Sequence, residues 1–222
     1  LRTGLSLRTV AKLNRLSLAY RPPLDWDALI AFLAARATPG VESVEASCYR
    51  RTIAIDGKTG SIQIDRSASK AAIELQVRFP DSQALPVIGE RVRRMFDLGA
   101  DPAVIAKHLG GDVWLGRILK QHPGIRTPGA WDGFELSVRA ILGQQVSVAA
   151  ATTMAGRLAS RFGTPVEAPN GLNRIFPSPG QLVAAPIEEV GVIGARAETI
   201  RTLARAVGAG SLRLATTSSA GT

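Results

Sequence analysis

A regular alternation of hydrophobic and polar side chains predicts β-strands in the first hundred residues. The alternation is clearest at residues 73–79, where every second side chain is apolar and those between are charged or amide side chains. Residues 53–55 and 62–64 repeat this period of two on either side of a glycine-containing turn, which we predict at residues 56–60. The pattern therefore predicts a β region in the first half of the chain.

Hydrophobic residues spaced three and four apart predict helices on both sides of this β region. One helix is predicted over residues 25–37 and another over residues 85–98, with the arginines of residues 91–94 on its solvated face. Beyond residue 100 nearly every pattern is helical, starting with an N-cap aspartate at Asp101 that precedes a proline. The change of period predicts an α+β protein, in which an α/β module is followed by an α-helical one.

Two adjacent glutamines, Gln144 and Gln145, stand where two predicted helices meet. The helix before them buries a stripe that starts at Phe134, and the helix after them buries a stripe that ends at Phe162. Long amide side chains carry both hydrogen-bond donors and acceptors. At such a corner they could reach into a base stack and replace lost base contacts, or they could cap and bridge two core helices.

Composition and charge favour a polyanionic partner and exclude several classes of site. The chain has 27 Lys plus Arg against 18 Asp plus Glu, a net charge of +9, and arginine suits bidentate phosphate contacts. No apolar run approaches the roughly 18 residues that a membrane span needs, so no membrane partner is expected. The single cysteine, Cys48, excludes an internal disulfide and a four-cysteine cluster, and it fits a reducing cytoplasm. With only two histidines besides, we expect no zinc, no other metal and no cofactor.

The residues around the glutamine pair resemble a known protein family. The string Leu-Gly-Gln-Gln-Val-Ser at residues 142–147, with residues 131–135 before it, closely resembles the helix-corner motif of the helix-hairpin-helix DNA glycosylases. Within that superfamily the similarity is to the bacterial 3-methyladenine DNA glycosylase II (AlkA) branch. Further matching segments follow the family's order and spacing over most of the chain, at residues 20–26, 32–37, 40–42, 94–98, 123–126, 176–179 and 191–197.

The resemblance implies a domain organisation and an activity. Residues 21–99 would form an N-terminal domain like one half of a TATA-binding protein, and residues 100–222 an α-helical glycosylase domain. Residues 1–20 would be a linker or the end of an upstream domain, such as an Ada-like one. The implied function is base-excision repair by a monomer in the bacterial cytoplasm, close to the nucleoid. It would flip bases of the 3-methyladenine or 7-methylguanine type out of double-stranded DNA and hydrolyse their N-glycosidic bonds. One alternative is a non-enzymatic DNA-binding or damage-sensing module, which could be fused to an Ada-like transcription regulator. Another is a structural interaction domain whose positive charge is incidental.

The resemblance also assigns candidate site residues. It places the side chain that inserts into the duplex at Gln145, where the best-known member has leucine, and lets Gln144 reach the flipped nucleotide. Phe32 matches a pocket phenylalanine of the family, although its helical position also fits core packing. None of the acids present matches the family's catalytic aspartate, so no catalytic residue is assigned. That aspartate is expected beyond Thr222, after a hairpin motif, and we expect the 222 residues to be an inactive fragment with an incomplete helical domain.

Overall fold

A computed structural model describes residues 13–214, which fold into a five-stranded antiparallel sheet and eight α-helices. The strand order in the sheet is β1-β5-β4-β3-β2. In chain order the elements are β1 (Leu13–Ala19), α1 (Trp26–Ala34), β2 (Glu42–Glu45), β3 (Cys48–Ile55), β4 (Lys58–Arg66), β5 (Ala72–Arg78), α2 (Leu85–Met95), α3 (Pro102–Leu109), α4 (Val113–Gln121), α5 (Gly133–Leu142), α6 (Val148–Phe162), α7 (Pro179–Leu182) and α8 (Gly194–Gly208), with short 3-10 helices at Ser82–Ala84 and Ile187–Val190.

The alternating segments form the strands predicted for them, and the α+β class is confirmed. Strands β3 and β4 are joined by the two residues Asp56 and Gly57, whose φ angles are +48° and +74°. Positive φ at both positions is the geometry of the two-residue hairpin turns that match the twist of paired strands. The turn predicted over residues 56–60 is shorter than expected, because residues 58–60 already pair with β3.

Strand β1 corrects one prediction. Residues 1–20 were predicted to be a linker or the end of an upstream domain, and this is wrong for residues 13–19, which pair with β5 along their whole length. Leu16 and Leu18 pack against the core but stay half-buried, because an edge strand has a neighbour on one side only. Two half-buried leucines give a weak alternation among basic residues. Residues 1–12 lie outside the described residues.

The arginines of α2 were predicted on a solvated face, and this is wrong, because they are half-buried. Arg93 donates from Nη1 to the carbonyl oxygen of Ala19 at 3.1 Å, which ties α2 to β1. The guanidinium of Arg91 lies 5.2 Å from the ring centre of Trp131. These long side chains cover apolar surface with their stems while their charged ends find partners.

Two hydrophobic clusters lie side by side. The first buries the inner face of the sheet against α1 and α2, and it also takes in Trp131 from the loop before α5. The second packs α5, α6 and α8 together and takes in Val41 from the chain just before β2. Phe134 is buried in the second cluster, which confirms the stripe predicted for the helix before the glutamines. Among residues 13–214, no helix is both long and apolar enough to cross a bilayer.

Helices α3 and α4 expose apolar side chains instead of burying them. Their only buried residue is Gly116, and Trp114 is 74% exposed. Each helix begins at an aspartate N-cap, and the one predicted at Asp101 is confirmed by hydrogen bonds from the backbone amides of Ala103 and Val104. This pair of helices therefore belongs to neither cluster.

Candidate active site

A cavity of about 310 Å³ opens between α1, the loop before α5 and the corner between α5 and α6. Its walls carry two aromatic side chains, Phe32 and Trp131, together with apolar side chains from α1, α2, α5 and α6. Gly143 and Val146, which flank the two glutamines on either side, also line it. The volume lies at the lower end of the usual range for small-ligand pockets, about 300–1,000 Å³. A single planar heterocycle is a ligand of suitable size.

The glutamine corner is a tight turn between two helices, as predicted. Helix α6 is capped by Ser147, whose Oγ accepts a hydrogen bond from the backbone amide of Ala150 at 3.2 Å. Gln145 has a φ of +56°, in the left-handed region that residues other than glycine rarely adopt. Non-glycine residues adopt this region in tight turns, and they also cluster at functional positions.

Both glutamine side chains point away from the protein interior. Gln144 and Gln145 are exposed, and within residues 13–214 neither amide group forms a hydrogen bond to another residue. In the described part of the chain, no hydrogen bond of either side chain therefore supports the interpretation of the pair as a bridge between two core helices. Only the backbone is fixed, because the carbonyl oxygen of Gln144 accepts a hydrogen bond from Nη2 of Arg196 in α8.

Phe32 lies at the cavity and not in the core. Its side chain is 40% exposed, whereas the adjacent Leu33 is buried in the first cluster. The guanidinium carbon of Arg36 lies 3.8 Å from the ring centre of Phe32, and Nη1 of Arg36 donates to the Phe32 carbonyl at 3.2 Å. One face of the ring thus carries a planar cation, an arrangement that the electron-rich face of an aromatic ring attracts.

A buried network of four charges forms the inner wall of the cavity. Arg51 Nη2 donates to Glu135 Oε2 at 2.7 Å, and its Nη1 lies 3.8 Å from Glu42 Oε1. Arg139 Nη1 donates to Glu42 Oε2 at 2.9 Å and to Glu135 Oε1 at 3.2 Å. Tyr49 adds its hydroxyl, which donates to Glu42 Oε1 at 2.5 Å. The two carboxylates and the two guanidiniums balance each other, and they connect the sheet to α5.

The two carboxylates of this network have shifted pKa values and no free oxygen. Burial acts to raise the pKa of Glu42, but the charges of Arg51 and Arg139 outweigh it and hold this pKa below its ordinary value. Burial raises the pKa of Glu135, and the neighbouring Glu42 charge adds to the rise. Since each carboxylate oxygen already accepts a hydrogen bond, neither residue offers a free oxygen to a reacting sugar. The network provides no candidate catalytic residue.

The other candidate groups have structural roles. Asp132 caps α5, since its Oδ1 accepts from the backbone amide of Glu135 at 2.9 Å. Cys48 is a buried core residue, and burial raises the pKa of its thiol to about 12, with Asp65 contributing. Among residues 13–214, no group of three or more His, Cys, Asp or Glu side chains could hold a metal ion.

The sequence did contain a signal for the charged network. Arg51 follows Tyr49 and precedes Ile53 at positions that share the inner face of β3, so an arginine stands where the alternation requires an apolar side chain. Glu42 is its direct neighbour on β2. A charge on the buried face of a strand predicts a buried partner, but identifying that partner requires the strand register and the position of α5.

The chain is similar to known proteins in both sequence and fold. The family model described as the AlkA N-terminal domain matches residues 15–132, and so extends past the domain boundary predicted at residue 99. The Escherichia coli K12 protein "DNA-3-methyladenine glycosylase 2" is 34% identical over 203 residues, which cover 88% of this chain and 68% of that protein. The Mycobacterium tuberculosis H37Rv protein "Probable bifunctional transcriptional activator/DNA repair enzyme AlkA" is 37% identical over 189 residues, 85% of this chain and 38% of that protein.

Solved structures share the fold at lower sequence identity. A "3-methyladenine dna-glycosylase from Archaeoglobus fulgidus" has a TM-score of 0.73 at 23% identity, over 86% of this chain and 66% of that one. A Clostridium acetobutylicum 8-oxoguanine glycosylase/lyase, solved with double-stranded DNA, has a TM-score of 0.65 at 16% identity, over 93% and 68%. The chain thus spans 38% of the mycobacterial relative and about two thirds of the archaeal structure.

Proposed function

Because the chain belongs to the AlkA family of DNA glycosylases, we propose that it acts in base-excision repair on alkylated bases in double-stranded DNA. A damaged base of the 3-methyladenine or 7-methylguanine type would rotate out of the duplex into the cavity and lose its N-glycosidic bond there. One observation carries the proposal. Two exposed glutamines stand between Gly143 and Val146, which both line an aromatic-walled cavity of about 310 Å³.

The glutamine corner supports base flipping because it offers a side chain to replace the base that leaves. Unstacking a base costs a few kcal/mol, which an inserted side chain offsets by filling the gap. Gln145 is exposed, has no hydrogen-bond partner within residues 13–214 and lies on a left-handed turn. Its amide can also hydrogen-bond the orphaned partner base. We assign the insertion to Gln145 and the contact with the flipped nucleotide to Gln144.

The cavity supports a preference for alkylated purines because these bases carry positive charge. Electron-rich aromatic faces attract planar cations, and the Phe32 side chain is 40% exposed at the cavity. A flipped cationic purine would find Phe32 and Trp131 in the walls of the same cavity. The carboxylates there are paired, so we propose no catalytic residue from the described part of the chain.

Several predictions from the resemblance remain predictions. These are the monomeric state, the nucleoid location and the Ada-like domain upstream. The mycobacterial relative supports the last of them, since its name combines a transcriptional activator with a DNA repair enzyme.

Base release from alkylated duplex DNA tests the proposed function. Full-length protein, purified free of host glycosylases, should release 3-methyladenine or 7-methylguanine faster than the uncatalysed background. Binding of the same duplex without any release would overturn the proposal and favour the damage-sensing alternative.

Replacing Phe32 by leucine should weaken the preference for cationic bases. A cation–aromatic contact at a partly exposed site contributes about 0.5–1 kcal/mol, so the loss corresponds to roughly two- to fivefold. The measurement is the ratio of kcat/KM for 7-methylguanine to kcat/KM for uncharged hypoxanthine, which should fall by that factor. Phe32→Tyr keeps the ring and is the matched control. An unchanged ratio in Phe32→Leu would mean that Phe32 does not contact the base.

A further inference from the structure

We propose that Arg196 is a positioning residue, which holds the Gln144–Gln145 peptide in place so that Gln145 can enter the duplex. This inference rests on the proposed function for the role of Gln145, but the contact itself does not. Arg196 lies 52 residues from Gln144 in the chain, on a different helix, and donates from Nη2 to the Gln144 carbonyl oxygen.

The location of Arg196 is not explained by the helix that carries it. Arg196 stands in the first turn of α8, where a positive charge opposes the helix dipole and acidic residues are preferred. The cap residue of α8, Ile193, provides no side-chain hydrogen bond there either. The guanidinium instead lies at the C-terminal end of α5, where the dipole of that helix favours a cation. The charge of Arg196 therefore stabilises the glutamine corner at the end of α5 and not the start of α8.

The hydrogen bond fixes the group that decides the conformation of Gln145. The carbonyl of Gln144 belongs to the peptide plane that precedes Gln145. The angle φ of Gln145 is the rotation about its N–Cα bond, which joins this plane to the Cα atom. That φ is +56°, a value that is unfavourable for residues other than glycine. The backbone amide of Gln144 lies in the preceding peptide plane, where it donates to the carbonyl of Ile141 at 3.3 Å. Arg196 therefore supplies the contact from outside the corner that keeps the plane in this orientation.

A corner held in advance would make insertion of the side chain more favourable. A turn that relaxed to negative φ would have to be reordered each time Gln145 entered the duplex, and this ordering opposes binding. Side chains that act on a substrate are commonly held by surrounding residues that never touch it. Arg196 has this relation to Gln145, since it bonds the backbone and leaves the exposed amide free.

The test compares two substitutions on α8 that each remove one positive charge. Arg196→Gln loses the donor at the corner, while the control Arg205→Gln loses an exposed arginine paired with Glu198 in the last turn. In full-length protein, Arg196→Gln should speed amide hydrogen exchange at residues 144–147, and Arg205→Gln should not. Arg196→Gln should also lower the flipped population, seen with a fluorescent base analogue beside the lesion, by roughly five- to tenfold. Arg196→Lys keeps the charge without the planar fork and should restore part of this signal.

A double substitution shows whether Arg196 acts through Gln145. In a Gln145→Ala background, Arg196→Gln should cause no further loss of flipping, and binding to undamaged duplex should be unchanged. A further loss there would overturn the positioning role. A direct phosphate contact would overturn it as well, and would appear as weaker binding to undamaged duplex with a salt slope reduced by about one. Unchanged amide exchange at residues 144–147 in Arg196→Gln would show that Arg196 does not hold the corner. If exchange is faster in Arg196→Gln but flipping is normal in Gln145→Ala, the corner is held by Arg196 and the proposed insertion of Gln145 is wrong.

Discussion

Replacing Arg51 by methionine is expected to lower the free energy of unfolding by about 3–5 kcal/mol, the usual cost of removing one partner from a buried ion pair. Arg51 is buried on the inner face of β3 and donates to Glu135 at 2.7 Å, with Glu42 also beside it. Methionine fills a similar volume, so the expected loss comes from two buried carboxylates that keep only Arg139 as a cationic partner. The measurement is urea unfolding followed by far-ultraviolet circular dichroism.

The matched control is the neighbouring arginine on the other face of the same strand. Arg50 pairs with the exposed Glu45 at 3.4 Å and donates to Gln63 at 3.1 Å. The Arg50 side chain is 17% exposed and Glu45 is 64% exposed, so water still reaches the pair, and Arg50→Met should lower the free energy of unfolding by about 1 kcal/mol, clearly less than Arg51→Met. Equal losses in the two variants would mean that the buried network contributes no more than a surface pair.

Replacing Gln145 by alanine is expected to reduce capture of the flipped base by roughly tenfold or more. The lost amide contact and stacking are on the order of 1–3 kcal/mol. Affinity for undamaged duplex should stay nearly unchanged, because it depends on many phosphate contacts and not on one inserted side chain. The flipped population is measured with a fluorescent base analogue beside the lesion, and affinity for undamaged duplex by titration at a fixed salt concentration.

Gln144→Ala is the companion to this substitution, since Gln144 is the exposed neighbour in the same turn. A loss of flipping in Gln144→Ala but not in Gln145→Ala would reverse the assignment within the pair. Normal flipping in both variants would leave the corner as a link between α5 and α6 and nothing more.

The features that sequence predicted well are those determined by neighbours in the chain. The strands, the cap at Asp101 and the helix corner at Gln144 and Gln145 follow from side-chain period, capping preference and a local motif. All of them operate within a few residues. The edge strand β1 was missed because an edge position buries its side chains only in part, which weakens the alternation.

The features that sequence did not reveal depend on contacts between distant residues. Arg51 and Glu135 are 84 residues apart, and Glu42 and Arg139 are 97 apart. Their pairing follows from how α5 packs on the sheet, and no local pattern reports it. The bond from Arg196 to Gln144 has the same character. The aromatic wall of the cavity was predicted only in part, because the resemblance identified Phe32 as a pocket residue but not Trp131.

The exposed α3–α4 pair determines what intrinsic fluorescence can report about this protein. The chain has three tryptophans, and Trp114 on α4 is already in water in the folded state, so unfolding changes its surroundings little. Trp26 and Trp131 are buried, and both belong to the first cluster. The second cluster, which carries the glutamine corner, contains no tryptophan. Tryptophan emission therefore follows mainly the loss of the sheet core, and only Trp131, in the loop before α5, lies beside the helices that hold Gln145.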